Sequence, residues 1–238
     1  QSVMSRHINW KIILTSTTSL IIVFVGLNLF RWLIVEIGAY FSGFEGDIIW
    51  GISNITAVSG HWTWIQVMWL YLAPYLAMLF PYAVINWRRK YPVTIPHWLQ
   101  LIQSWIFILL LLNLFFMPMV DILTKHGLYH ALNWLGVARY LQYIVGIVMI
   151  LFFVYNSFNL STLSSTLLNI PNNKLITSKK VLIQLLYIWY IPIAILILIV
   201  FFSSNYTFPP DFLYFLSGLV FVILLNTWLI SRYRVIVN

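Results

Sequence analysis

The chain has 238 residues, of which 62% are hydrophobic and 8% are charged. This composition excludes a water-soluble fold, because a domain of this length has no core large enough to hide so many apolar runs. The absence of cysteine excludes disulfides, thiolate metal sites and cysteine nucleophiles. The net charge of +8 comes largely from basic residues beside apolar segments, where they face anionic headgroups, so nucleic-acid binding is not expected.

Six apolar runs are long enough to cross a bilayer, which requires about 20 residues per helix. Gln1 to Val3 resemble the remnant of a tag, which makes residues 4–238 a single transmembrane domain. Because the runs are continuously apolar and too long for barrel strands, the sequence predicts an all-α integral membrane protein, a bundle of about six transmembrane helices. In chain order, the predicted spans are Ile12 to Val35, Trp62 to Trp87, Trp98 to Val120, Tyr140 to Leu160, Val181 to Phe202 and Phe212 to Ile230.

The basic residues are distributed unequally between the two sets of loops. One set carries Arg6, Lys11, Arg88, Arg89, Lys90, Lys174, Lys179, Lys180, Arg232 and Arg234, and the other carries only Arg31, Lys125 and Arg139. Basic residues are retained on the cytoplasmic side of short loops, so both termini are predicted to be cytoplasmic and the protein to span the plasma (inner) membrane. The lipid bilayer is its first expected partner.

Two longer connections, Glu36 to His61 and Asp121 to Arg139, are predicted on the outer side, the second as a short interfacial helix. Four prolines within the spans, Pro74, Pro81, Pro118 and Pro192, are expected to kink or break their helices. Polar residues within the spans, among them Asn28, Asn86, Ser104 and Asn113, are expected to form hydrogen bonds between helices.

Ionisable residues at membrane depth are costly, which makes them candidates for a functional site. Arg31 lies just inside the outer end of the first span, where it could pair with Glu36 or with an acid of another outer loop. Arg31, Glu36 and Asp121 form the predicted ligand-binding set, and Glu36 is also the candidate catalytic residue. The alternative for Arg31 is an interfacial arginine whose guanidinium reaches the headgroups.

Three histidines, His61, His126 and His130, are predicted on the outer side. If Lys125 to Trp134 is helical, His126 and His130 lie one turn apart on one face, and His61 or an acid could complete a site for a divalent metal such as zinc. A glutamate follows the first histidine in H-E-x-x-H proteases, whereas Gly127 stands here. Histidines without a metal are the alternative interpretation.

Other motifs of membrane enzymes and transporters are missing. The sequence has no nucleotide-binding loop and no G-x-S-x-G, so coupling to ATP would require a partner ATPase subunit and a serine protease is not indicated.

The segment Val35-Glu36-Ile37-Gly38-Ala39 resembles the H-E-[IL]-G-H motif of site-2-type (M50) membrane metalloproteases with both histidines replaced. Leu72-Ala73-Pro74-Tyr75 is similar to a turn in the second core span of some of these proteins, so the resemblance covers Val35 to Phe80. Since Val35 and Ala39 offer no lone pair to a metal, the resemblance implies an inactive scaffold that binds membrane segments.

Three functions therefore stay open from the sequence. The first is a non-enzymatic membrane component, either a permease or accessory subunit or a binder of a small solute, lipid or peptide among kinked helices. The second is a metal-dependent enzyme with an outer-face site at His126 and His130. The third is the inactive M50-like scaffold.

Overall fold

The computed structural model of the chain describes residues 10–41, 63–90, 96–167, 178–204 and 210–233. These residues are helical apart from short turns, and no strand occurs among them. The elements are α1 (Trp10–Phe41), α2 (Trp64–Tyr71), α3 (Ala73–Lys90), α4 (His97–Leu111), π1 (Leu112–Phe116), α5 (Met117–Thr124), α6 (Leu128–Trp134), α7 (Arg139–Leu167), α8 (Ser178–Leu185), π2 (Leu186–Tyr190), α9 (Ile191–Ser203) and α10 (Pro210–Tyr233).

Five helical stretches of the described chain are long and apolar enough to cross a membrane, and a sixth is obtained if the bent pair α2 and α3 counts as one span. The prediction of an all-α fold is therefore confirmed for the described residues, and their five to six candidate spans agree with the predicted number. Every predicted span coincides with one of these stretches.

Two helices continue beyond the predicted ends of their spans. α1 continues to Phe41, so Glu36 is part of a helix and not of the outer connection that was predicted to begin there. α7 continues to Leu167, seven residues past the predicted end. A helix need not stop where the hydrocarbon stops, because its backbone hydrogen bonds are made within the segment. Residues 42–62, which include His61, lie outside the described part of the chain.

Three of the four prolines disturb their helices as predicted. A π-helical turn ends two residues before Pro118 and another two residues before Pro192. Proline has no N–H and its ring crowds the carbonyl four residues earlier, and the wider π turn relieves that crowding. Pro74 follows the break at Leu72, where α2 and α3 meet at an angle of 43°. Pro81 lies inside α3, which continues to Lys90.

The central column of the bundle is the span that runs through α4, π1 and α5. Two-thirds of its most apolar window is buried inside the protein, whereas only 17% of the corresponding window of α1 is buried. α1, α3, α7 and α10 pack against this column, and α9 with π2 packs against α1. Seven apolar side chains of the column have no exposed surface, namely Leu101, Trp105, Phe107, Ile108, Leu110, Leu111 and Leu112.

One hydrogen-bonded junction links three elements of the core. The Ser16 hydroxyl donates to the carbonyl oxygen of Ile188 over 2.6 Å and accepts from Trp105 Nε1 over 3.0 Å. Pro192, four residues after Ile188, has no N–H to donate to that carbonyl. The hydroxyl of α1 therefore supplies a donor that the proline removed from the helix, and it also satisfies a buried indole.

Four of the polar residues expected to bond between helices bond within their own helix. The side-chain amides of Asn28, Asn86 and Asn113 and the Ser104 hydroxyl each donate to the carbonyl four residues earlier. The expectation is therefore wrong for these four residues. A helix carbonyl has a second lone pair close at hand, so a side-chain donor can be satisfied in hydrocarbon without a neighbouring helix.

Candidate functional site

The last turns of α1, the whole of α2 and α6 and the end of α5 meet at one end of the bundle, here named the Asp121 end. Four of the predicted site residues are found in these elements or at their edges, namely Arg31, Glu36, Asp121 and His130, and His126 lies in the turn between α5 and α6. The structure thus brings the predicted outer residues to the same end of the protein.

Asp121 is 9% exposed and accepts hydrogen bonds from two different elements. The Tyr75 hydroxyl of α3 donates to Oδ2, and the Leu128 N–H at the start of α6 donates to the same oxygen over 3.1 Å. A carboxylate that accepts the first N–H of a helix stabilises that end, because those amides have no partner within the helix. Asp121 therefore ties α3, α5 and α6 together.

The turn between α5 and α6 is shaped around this carboxylate. Gly127 has a φ of +39°, and a Cβ at this position would lie 2.1 Å from Asp121 Oδ2. Lys125, with a φ of +61°, ends α5 in the left-handed conformation. Only glycine fits Gly127, since any side chain would collide with the carboxylate and strain the backbone.

The histidine geometry expected for a metal site is not formed. α6 begins at Leu128, so His126 lies in the turn before the helix and does not share a helical face with His130. The condition for that geometry, a helix from Lys125 to Trp134, is not met at its first three residues, because Lys125 and Gly127 adopt positive φ values. The His130 ring lies 5.7 Å from the ring of Tyr71, and no group of three or more His, Asp or Glu side chains gathers among the described residues.

Glu36 lies beside the interface between α1 and α2. Val35, Gly38 and Ala39 are buried on this part of α1, and a Cβ on Gly38 would come within 3.3 Å of Trp69 Cβ. Glu36 itself is half-buried, and its Oε2 atom is buried without a hydrogen-bond partner among the described residues. The carboxylate is thus not directed wholly at lipid, and the resemblance to M50 scaffolds stays a prediction.

Arg31 contacts an aromatic ring. Its guanidinium carbon lies 5.7 Å from the centre of the Tyr75 ring, the same tyrosine that donates to Asp121. The three residues form a series in which a cation lies on the face of a phenol and a carboxylate accepts from its hydroxyl. Neither the positions in the sequence nor the residue types predicted that Tyr75 would stand between the two charges.

A second feature is a lateral groove of about 340 Å³ between α3, π1 and α7. Tyr82 and Asn156 lie in it and are joined by a hydrogen bond of 2.7 Å from the phenol to Oδ1. The rest of the lining is apolar or aromatic and consists of Phe115, Val148, Met149, Phe152 and Tyr155. Sequence reasoning missed this groove. One signal in the sequence was available. Tyr75 and Tyr82 are seven residues apart, which places both phenols on one face of α3 and indicates that this face packs inward.

Fold and site together define the class as an α-helical, multi-pass membrane protein with Arg31, Glu36, Asp121 and His130 at the Asp121 end. No protein-family model matches the chain, and no curated protein or solved structure matches it either.

Proposed function

We propose that the chain is a non-enzymatic, multi-pass membrane protein that binds an acyl chain of a lipid in the groove between α3 and α7. The observation that carries the proposal is the groove itself, with its volume of about 340 Å³ and its aromatic and aliphatic walls. π1 and α7 belong to stretches long and apolar enough to span a membrane, and α3 does so together with α2, so acyl chains are the molecules expected at the mouth of the groove.

The chemistry of the groove favours an apolar occupant over a polar solute. Three side chains of the lining carry a polar group, and two of them, Tyr82 and Asn156, are bonded to each other. The Asn156 side-chain amide also donates to the carbonyl of Phe152 over 2.8 Å. With these groups bonded inside the protein, a polar solute would lose its hydration without comparable new hydrogen bonds.

Packing supplies a reason for an acyl chain to stay in the groove. Side chains that line an unfilled space lose the dispersion contacts of the missing neighbour. Phe152 and Tyr155 are more than half exposed, and Val148 is 41% exposed, so each has apolar surface that an acyl chain would cover. The stacked pair Phe115 and Phe152, with ring centres 6.0 Å apart, gives the groove a firm wall.

Photolabelling with a fatty acid that carries a diazirine tests the proposal in lipid nanodiscs. We expect the label to concentrate on residues 148–156 of α7, and Val148→Trp, which fills the groove, to reduce it several-fold there. Leu151→Trp is the matched control, since Leu151 lies on the same helix, is 62% exposed and does not line the groove. Uniform labelling of all spans, or equal labelling of the two variants, would contradict the proposal.

The charge distribution adds an orientation to this proposal. The excess of basic residues around α3 and α8 supports cytoplasmic termini and an outer Asp121 end in a plasma membrane. A partner ATPase or another membrane subunit stays a prediction from the sequence.

A further inference from the structure

We propose that Arg31 is a binding site for an oxyanion, the phosphate of a lipid headgroup or free phosphate, at the Asp121 end. This site is separate from the acyl-chain groove, and Arg31 does not line that groove.

The hydrogen-bond donors of Arg31 are not used within the described protein. A guanidinium has five N–H donors in one plane, whereas a contact with the face of an aromatic ring engages the charge and none of those donors. Among the described residues, Arg31 contacts the ring of Tyr75 and forms no hydrogen bond and no ion pair. The donors are thus available to a ligand.

The aromatic ring beneath the guanidinium is held in place by other elements. Tyr75 is fixed through its hydroxyl to Asp121, and Asp121 is fixed in turn by the Leu128 N–H. The ring is therefore a platform anchored to two other elements. A cation stacked on such a platform keeps its orientation, which reduces the entropy lost when a ligand binds to its edge.

The positive charge of Arg31 favours an anionic ligand. Arg31 is half-buried in a candidate membrane span, where an unpaired charge is costly. Glu36 is five residues further along α1, about 140° around the helix axis, so the two side chains leave the helix in different directions. A bound anion would neutralise the guanidinium, and a tetrahedral oxyanion can accept two parallel N–H bonds from it.

The depth of Arg31 in the bilayer is compatible with contact to lipid phosphates. Arg31 is 21 residues from the start of α1 at Trp10, which corresponds to about 31 Å along the helix. The hydrocarbon core is itself about 30 Å thick, so the guanidinium can reach the level of the lipid phosphates at the Asp121 end.

Arg139 provides an internal control. It lies at the same end of the bundle, but its Nε donates to the Tyr143 hydroxyl over 3.1 Å and its guanidinium lies on that ring, 5.8 Å from the centre. One of its donors is therefore already engaged, and the proposal assigns no anion to it.

Arginine modification of the wild-type protein is the first test. The protein in a phosphate-free detergent is treated with phenylglyoxal, alone or with inorganic phosphate or phosphatidylglycerol, and each arginine is followed by peptide mass spectrometry. We expect Arg31 to be protected about tenfold and Arg139 less than twofold. Protection by the lipid alone identifies a headgroup, and protection by both anions identifies a general oxyanion site. If neither inorganic phosphate nor phosphatidylglycerol protects Arg31, the proposal is overturned.

Native mass spectrometry of retained phosphatidylglycerol is the second test, and it does not depend on access of a reagent. Arg31→Gln should retain the lipid about tenfold more weakly than wild type, equivalent to about 1.4 kcal/mol, whereas Arg139→Gln should match wild type. Arg31→Lys keeps the charge and loses the planar guanidinium, so its retention of the lipid should lie between that of wild type and that of Arg31→Gln. Equal retention by wild type and Arg31→Gln, at equal thermal stability, would refute a headgroup site. If Arg31→Gln does not fold, the protection measurement on wild type decides.

Discussion

Replacement of Ser16 by alanine should destabilise the protein far more than the loss of one hydroxyl suggests. The Ser16 side chain is fully buried, donates to the Ile188 carbonyl and accepts from Trp105 Nε1. Alanine removes both bonds and leaves a buried carbonyl and a buried indole N–H without these partners. No cavity of consequence forms, because only one oxygen atom is lost.

The magnitude follows from the two groups that are left. An orphaned buried donor or acceptor costs about 1–3 kcal/mol in soluble proteins, whereas polar contacts between helices in membranes average about 0.6 and reach about 1.7 kcal/mol. Ser16→Ala should therefore reduce the free energy of unfolding by about 1–3 kcal/mol. Pro192 makes the upper part of this range reasonable, because its missing N–H leaves the Ile188 carbonyl more dependent on the serine.

Ser19→Ala is the matched control for this prediction. Ser19 is also buried on α1, but its hydroxyl donates to the Thr15 carbonyl within the same helix, so its loss leaves no group on another helix unsatisfied. We expect a change below about 0.5 kcal/mol. Unfolding in mixed micelles with increasing dodecyl sulfate, followed by circular dichroism, measures both variants.

A double-mutant cycle separates the indole from the carbonyl. Trp105→Phe removes the Nε1 donor, so the effects of Ser16→Ala and Trp105→Phe should be non-additive by about 0.5–1 kcal/mol. If Ser16→Ala is no more destabilising than Ser19→Ala, the junction among α1, α4 and π2 does not hold the core together, and this reasoning is refuted.

Three further predictions follow from backbone geometry and from the histidines. Gly218→Ala should destabilise the protein by about 1–3 kcal/mol, because the new Cβ would lie 2.6 Å from the Phe116 ring. Gly26→Ala should be neutral or stabilising, because there is open space around Gly26. Thermal unfolding in detergent compares the two variants. Gly127→Ala should lower the melting temperature more than Gly136→Ala. Both glycines have positive φ, but only a Cβ at Gly127 would also collide with the Asp121 carboxylate. Equal shifts of the melting temperature would contradict this contact. Metal analysis of the purified protein should show no stoichiometric zinc, because His126 precedes α6, and one zinc per chain would contradict this reading.

The positions of the spans could be predicted from the sequence because each is specified by a long apolar run, which the bilayer requires locally. The prolines were an equally local signal, and Pro118 and Pro192 do disturb the helix before them. The continuation of α1 to Phe41 was missed because the predicted span ended at the charge of Glu36, although a charge limits the hydrocarbon segment and does not break a helix.

The candidate site was predicted only as a set of charges at one end. The sequence singled out Arg31 and Asp121, but their relation depends on Tyr75, which comes from a third helix after the break at Leu72. A contact of this kind is set by how helices rotate and bend against each other, and hydrophobic periodicity does not record it. The geometry of His126 was missed because the left-handed residue at Lys125 is not a glycine or asparagine, the types that usually mark a helix end.

Labelling of single cysteines from the two sides of the membrane tests the central claim, a multi-pass protein with the Asp121 end outside. The chain has no native cysteine, so Arg88→Cys and Leu135→Cys each introduce a unique thiol on either side of the span His97–Thr124. In intact cells, an impermeant maleimide should label position 135, and position 88 should react only after permeabilisation. Reaction of both positions from one side would contradict the span between them, and the opposite pattern would contradict the orientation.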